Sequence, residues 1–235
     1  MKRWIPLAAF TLLALPDIGP AWRIGTVIAV VWLTNLYNFM DGSDGLAGGM
    51  TLFGFTAYAL GAWAAGDLIL ATLAASVAAA AAAFLAFNFP PARVFMGDAG
   101  SIPIGFLAAT FGLIGWSGQL WPLSFPLLVF SPFLVDATVT LLRRIARGER
   151  FWEAHKTHYY QRLVQLGWGH RDTALAGYLL MALCGAAALW TLELPLRAQL
   201  AVCGGIALLY LAIGIAIDRA WGRYLNTVRI DASAR

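Results

Sequence analysis

The chain has 235 residues, of which 60% are hydrophobic and only 12% charged, with a formal net charge of +4. Soluble domains average about 45–50% apolar and about 25% charged residues, so a soluble fold and a disordered chain are both excluded. Nucleic-acid binding is excluded too, because +4 spread along so apolar a sequence makes no continuous basic face. The composition is that of an integral membrane protein. The expected fold is all-α: one domain over residues 1–235, a polytopic membrane helix bundle of about 7–8 transmembrane helices.

Charge-free stretches mark the predicted elements in chain order. The first, 4–16, follows Lys2 and Arg3; no small-x-small cleavage site comes after it, so it reads as a short membrane segment rather than a cleaved signal. Stretches 24–40, 45–66 and 68–92 come next, each close to the about 20 residues that span a bilayer. Within the last, the alanine-rich 71–83 predicts a helix packed closely through small side chains. Stretch 99–135 is too long for one span and breaks at Trp116-Ser117-Gly118-Gln119 and Pro122, predicting helices over 102–116 and 121–142. Stretches 173–192 and 198–217 complete the set. Cys184 and Cys203 both lie inside apolar runs and are expected to be free buried thiols.

The basic residues set the orientation. With 4–16 counted as the first helix, one side carries Lys2, Arg3, Arg93, a basic loop at 143–172 and the C-terminal tail. That side holds 14 of the 16 Lys and Arg; Arg23 and Arg197 alone lie on the other. The positive-inside rule makes the richer side, with both termini, cytoplasmic.

Three polar clusters follow even-numbered helices and so share that face. In the first, Asn35, Asn38 and Asp41 recur at i, i+3, i+6, one face of a helix if it continues to its end. Two asparagines bonded between helices beside a solvated aspartate is one reading. The other is a site for a hard cation, since Mg²⁺ prefers carboxylate and amide oxygens. Asp41-Gly42-Ser43-Asp44-Gly45 gives the backbone room to turn tightly, and a calcium loop would need further oxygen ligands.

The second cluster runs from Asn88 to Ser101. Pro90-Pro91 ends the preceding helix, and Asp98 before a new helix is either its N-cap or a carboxylate free to hold the metal of a phosphate bound at the helix amides. The third is Glu153-Ala154-His155-Lys156-Thr157-His158-Tyr159-Tyr160-Gln161-Arg162-Leu163. Its two histidines share a face if the segment is helical. Zinc is discounted because neither cysteine lies on this side. The arginines of this loop read first as topology determinants, and the histidines with Lys156 and Arg162 as a clamp for an anionic diphosphate.

These three clusters, in this order, resemble the signatures of the polyprenyl-phosphate N-acetylhexosamine-1-phosphate transferases of glycosyltransferase family 4. The motifs are Asn-x-x-Asn-Phe-Met-Asp-Gly-Ser-Asp-Gly-Leu-Ala-Gly-Gly from Asn35, Phe95-Met96-Gly97-Asp98-Ala99-Gly100-Ser101 and the segment 155–162. The third is closer to the O-antigen branch than to the peptidoglycan branch. The resemblance runs from about residue 24 to the C-terminal region. It implies transfer of N-acetylhexosamine-1-phosphate from a UDP-sugar to polyprenyl (undecaprenyl) phosphate with release of UMP, at the cytoplasmic face of a bacterial inner membrane. It also implies Mg²⁺, with Mn²⁺ as a substitute. The implied partners are the lipid phosphate, the UDP-N-acetylhexosamine and the bilayer, with a homodimer as one assembly open to the chain.

Carried over by motif, Asp98 and Asn38 would ligate the metal, and Asp41 and Asp44 would act at the reacting centre. Asn35, Asn88, Arg93, His155 and His158 would bind substrate. The family also carries adjacent aspartates in an earlier loop. No Asp-Asp occurs here, so the family's first helices and that acidic pair are expected to be missing from this chain. A non-catalytic remnant of the family and a small transporter are the competing classes. The first predicts no Mg²⁺-dependent release of UMP. The second predicts loading without bond cleavage, and its polar residues should lie at the membrane midplane rather than at one face.

Overall fold

A computed structural model describes residues 20–150 and 156–233. The predicted segment 4–16 and His155 lie outside them. Among the described residues every regular element is helical, as expected for an all-α membrane bundle.

Helix α1 spans Pro20–Met40 and α2 spans Leu46–Ala64. Helix α3, Leu68–Asn88, opens on Asp67, whose Oδ1 accepts from the Leu70 N–H at 2.9 Å, and stops where Phe89 turns extended ahead of Pro90-Pro91. Helix α4 covers Gly97–Ser117. The predicted helix over 121–142 is broken in two: α5, Ser124–Val129, and α6, Ser131–Ala146. The cause is local. Pro132 has no N–H to continue the ladder, and the Ser131 hydroxyl donates instead to the Leu128 carbonyl at 2.6 Å. Beyond it, much of the described part of the expected basic loop is helical as well. Helix α7 spans Tyr159–Leu163, a π-turn covers Val164–Trp168, and α8, Gly169–Thr191, follows. Helix α9 spans Leu196–Ser233.

Four of these segments are long and apolar enough to cross a membrane: Leu68–Asn88, Gly97–Ser117, Tyr159–Thr191 and Leu196–Thr227. Helices α1 and α2 bury Thr26, Thr34 and Thr51 inside the bundle.

Aromatic rings fill the core. Tyr37, Phe55, Tyr58, Phe125, Phe130 and Phe133 are all fully buried. Tyr58 stacks on Trp121 at 5.4 Å, while its edge-on neighbours Phe55 and Phe130 lie at 5.9 and 5.3 Å. Their polar ends are satisfied within the bundle: the Tyr58 hydroxyl donates to the Ala108 carbonyl at 2.9 Å and the Trp121 Nε1–H to that of Gly112 at 3.1 Å. The alanine-rich helix behaves as expected. Ala71, Ala74, Ala78 and Ala81 form one buried stripe on α3, and Gly48 of α2 lies against Leu85. Cys184 and Cys203 are free thiols; Cys184 is buried and Cys203 half-buried.

Candidate functional site at one end of the bundle

The C-termini of α1 and α3 and the N-termini of α2 and α4 meet at one end of the bundle. There the loop Asp41–Gly45 joins α1 to α2. Its last residue, Gly45, has φ +75°, a left-handed conformation that costs an L side chain about 1–2 kcal/mol. Gly45 is held from both sides: its N–H donates to Asn88 Oδ1 at 3.0 Å, and its carbonyl accepts from the Tyr178 hydroxyl at 2.8 Å. A Cβ there would lie 2.8 Å from that hydroxyl and 3.2 Å from Pro90 Cδ. Asn88 is buried, and its other end is engaged too, with Nδ2 donating to the Val94 carbonyl at 2.8 Å. Asp44 faces the same stretch and accepts from the Ala92 N–H at 3.0 Å. The aspartate loop and the 88–94 segment are thus stitched together before any ligand arrives.

Asp41 faces the start of α4. Burial pushes its carboxyl up to about 6; the N–H of Gly97, which donates to it, works the other way, and the negative charge of Asp98 adds to the rise. Asp98 is exposed in the first turn of α4, where the helix dipole favours an anion. The helix begins one residue earlier, after Met96, so Asp98 is not its N-cap. Asn38 reaches the same helix, its Oδ1 accepting from the Ser101 hydroxyl at 2.8 Å. Asn38, Asp41 and Asp98 therefore converge. Asn35 does not join them by its recorded bond: its Nδ2 donates to the Val31 carbonyl at 3.0 Å, within its own helix. Arg93 is exposed at the rim, and its backbone N–H donates to the Phe87 carbonyl at 2.8 Å.

Among the described residues no three His, Cys, Asp or Glu side chains form a ready metal cage. What converges is two carboxylates with amide and hydroxyl oxygens. That donor set fits a hard cation which completes its shell with substrate phosphate oxygens and water.

The third cluster packs against this loop from the other side. His158 has an extended backbone (φ −58°, ψ 152°) and caps α7 rather than lying in a helix. The Gln161 side chain accepts from the His158 N–H at 3.2 Å, closing the turn. The His158 ring is buried, with Nδ1 3.3 Å from Asp136 Oδ1 and the ring stacked near Phe39 at 6.5 Å. Tyr160 donates its hydroxyl proton to the Phe39 carbonyl at 3.1 Å, and its ring and hydroxyl press on Gly42 so closely that no Cβ would fit. Arg162, expected beside a diphosphate, is buried and paired with Asp218 at 2.8 Å. Asp218 also holds Arg143 at 2.8 Å, and both guanidiniums lie over the Tyr159 ring, at 5.1 and 5.3 Å. Lys156 is exposed.

Several of these residues escaped the sequence reading. Asp136 carried a signal, since a carboxylate inside a predicted span is expensive unless it is used. Ser101 stood at the edge of a motif already singled out. His170, whose Nδ1 is 2.9 Å from the Ser43 hydroxyl, gave none, because 127 positions separate the partners.

The profile of Glycosyl transferase family 4 matches residues 5–116. The chain is 34% identical over 157 residues to a probable undecaprenyl-phosphate N-acetylglucosaminyl 1-phosphate transferase of Bacillus subtilis (strain 168), an alignment covering 66% of this chain and 44% of that protein. It is 31% identical over 185 residues to a phospho-N-acetylmuramoyl-pentapeptide-transferase of Staphylococcus aureus (strain RF122 / ET3-1), covering 77% of this chain and 55% of the relative. The chain thus spans about half the length of the curated relatives it matches. With motifs, helical bundle and relatives in agreement, the chain belongs to glycosyl transferase family 4.

Proposed function

We propose that the chain carries the transfer centre of a membrane phospho-N-acetylhexosamine transferase. An oxygen of polyprenyl (undecaprenyl) phosphate attacks the sugar-bearing phosphorus of a UDP-N-acetylhexosamine. The bond from that phosphorus to the bridging oxygen breaks, and UMP leaves with that oxygen. The product is polyprenyl-diphospho-N-acetylhexosamine, a lipid carrier for O-antigen or another envelope polysaccharide, made at the cytoplasmic face of the bacterial inner membrane. The observation that carries this reading is the convergence of Asn38, Asp41 and Asp98 at one end of an apolar bundle. A lipid anion and a soluble dianion can meet only at such an end, and phosphoryl transfer between them is chiefly positioning and charge neutralisation.

Asp98 and Asp41 would hold Mg²⁺, with Asn38 Oδ1 as a further oxygen donor; the ion supplies neutralisation of the diphosphate. Asp44 keeps the loop in place through Ala92, and its other carboxylate oxygen would serve the reacting centre. Arg93, exposed at the rim, and Lys156 provide positive charge for the incoming nucleotide. The test is release of UMP from UDP-N-acetylglucosamine and UDP-N-acetylgalactosamine by the purified protein with polyprenyl phosphate and Mg²⁺, beside the same chain carrying any upstream residues its gene encodes. Asp98→Asn is expected to abolish release while leaving membrane insertion intact. No release from either form with either donor would overturn the reading.

A further inference from the structure

Asp136 lies outside every motif that marks the family-like clusters, yet its carboxylate is among the most heavily engaged groups in the molecule. It is 9% exposed. Oδ1 accepts from the Tyr159 N–H at 2.9 Å and from the Thr140 hydroxyl at 3.2 Å, and lies 3.3 Å from His158 Nδ1. Oδ2 accepts from the Tyr160 N–H at 3.1 Å. Those two backbone N–H groups open a five-residue helix too short to stand unaided. A carboxylate from α6 thus anchors the start of α7 across 23 and 24 residues of sequence.

That anchoring has a consequence further along. Tyr160 leaves α7 and reaches back to α1, where its hydroxyl donates to the Phe39 carbonyl and presses on Gly42. Gln161 Nε2 donates to the same hydroxyl at 3.1 Å and fixes its direction. Phe39 and Gly42 flank Met40 and Asp41, so the phenol grips the backbone from which the Asp41 carboxylate projects. The His158 and Tyr160 rings stack at 5.8 Å.

We infer that Asp136 is a positioning residue of the transferase site: by capping α7 it fixes Tyr160, and Tyr160 fixes the Phe39–Gly42 backbone that aims Asp41 at the metal. This rests on the function proposed above, but it makes a claim about geometry that can be tested without turnover. The bonds of Asp136 described above all go to protein groups. Its removal should act on metal affinity and turnover, with little effect on donor affinity once the metal is saturating. Residues that orient a metal ligand from behind change affinity or activity by about 10–100-fold when altered.

The experiment uses Asp136→Asn, Tyr160→Phe and the double variant in the full chain, with two readouts. Mn²⁺ binding in detergent, followed by electron paramagnetic resonance, reports the site without catalysis; UMP release reports kcat and donor KM. Both single variants are expected to weaken Mn²⁺ by about 10-fold and to lower kcat by about 10–100-fold, with donor KM within about threefold. The double variant should be no worse than Asp136→Asn, because both changes cut one chain of contacts. Losses that multiply in the double variant, or Mn²⁺ binding within twofold of the parent in Tyr160→Phe, would overturn the inference. Tyr160→Phe removes a single hydroxyl, so it remains informative even where Asp136→Asn misfolds. A parent that binds Mn²⁺ but releases no UMP would count against the proposed function, while the Mn²⁺ series would still decide the role of Asp136.

Discussion

Asn88→Ala should cost stability before it costs anything else. The side chain is buried and uses both polar ends inside the protein, accepting from Gly45 at 3.0 Å and donating to Val94 at 2.8 Å. Truncation leaves the N–H of the buried Gly45 without its acceptor, a penalty of about 1–3 kcal/mol. Val94 is exposed, so its carbonyl turns to water and only the net bond is lost, about 0.5–1.5 kcal/mol. The sum is about 1.5–4.5 kcal/mol. For a chain of this size each kcal/mol moves the midpoint by about 2–4 °C, so thermal unfolding in detergent should shift by about 3–18 °C. Tryptophan fluorescence follows it, because Trp121 is buried in the core. Asn88→Asp keeps the acceptor for Gly45 but loses the donor to Val94 and buries a charge, and should be at least as damaging. An alanine variant that unfolds within about 0.5 kcal/mol of the parent while losing only nucleotide affinity would refute this reasoning and return Asn88 to a purely ligand-facing role.

Three further outcomes are expected. Gly45→Ala combines left-handed strain with a contact 2.8 Å from the Tyr178 hydroxyl, for a loss of about 2–4 kcal/mol by the same unfolding assay; an unchanged midpoint would contradict it. Asp218→Asn strands the buried guanidinium of Arg162 and should lower stability by about 1–3 kcal/mol, with Arg162→Met restoring part of the loss in the double variant. The folded chain holds the Asp41 proton up to about 6, against about 3.9 in an unfolded chain. Its contribution to stability is therefore full below about pH 4 and lost as pH rises through about 6. The unfolding midpoint of the metal-free protein should fall with rising pH across that window relative to that of Asp41→Asn, and parallel curves would sink the assignment.

How much of this was legible in the sequence differs from residue to residue. The helices followed from charge-free runs, and the aspartate loop and Asp98 from motifs dense in glycine and carboxylate. The break after Phe130 was not foreseen, although Pro132 was in plain view, because a proline early in a helix is as compatible with a start as with a kink. His158 and Arg162 were identified as residues of interest, but their partners were not. Asp136 and Asp218 lie 22 and 56 positions away, and only the packing of α6, α7 and α9 brings them close. Local sequence declares what chemistry a segment can offer. Which part of it is consumed in holding the protein together depends on contacts too distant in the chain to be read there.

The ionic collar of Arg143, Arg162 and Asp218 gives helix α9 a further meaning. From Leu196 to Asp218 the helix rises about 33 Å, close to the about 30 Å of hydrocarbon in a bilayer. The collar therefore lies about one hydrocarbon thickness along α9 from Leu196, and the helix continues past it to Ser233. Tyr159, which both guanidiniums overlie, is followed directly by Tyr160, whose hydroxyl holds the Phe39 carbonyl, so the collar and the aspartate loop are joined through two adjacent residues. In vesicles of short or very long lipids a bundle carrying this collar would have to tilt or shift, and the aspartate loop would move with it.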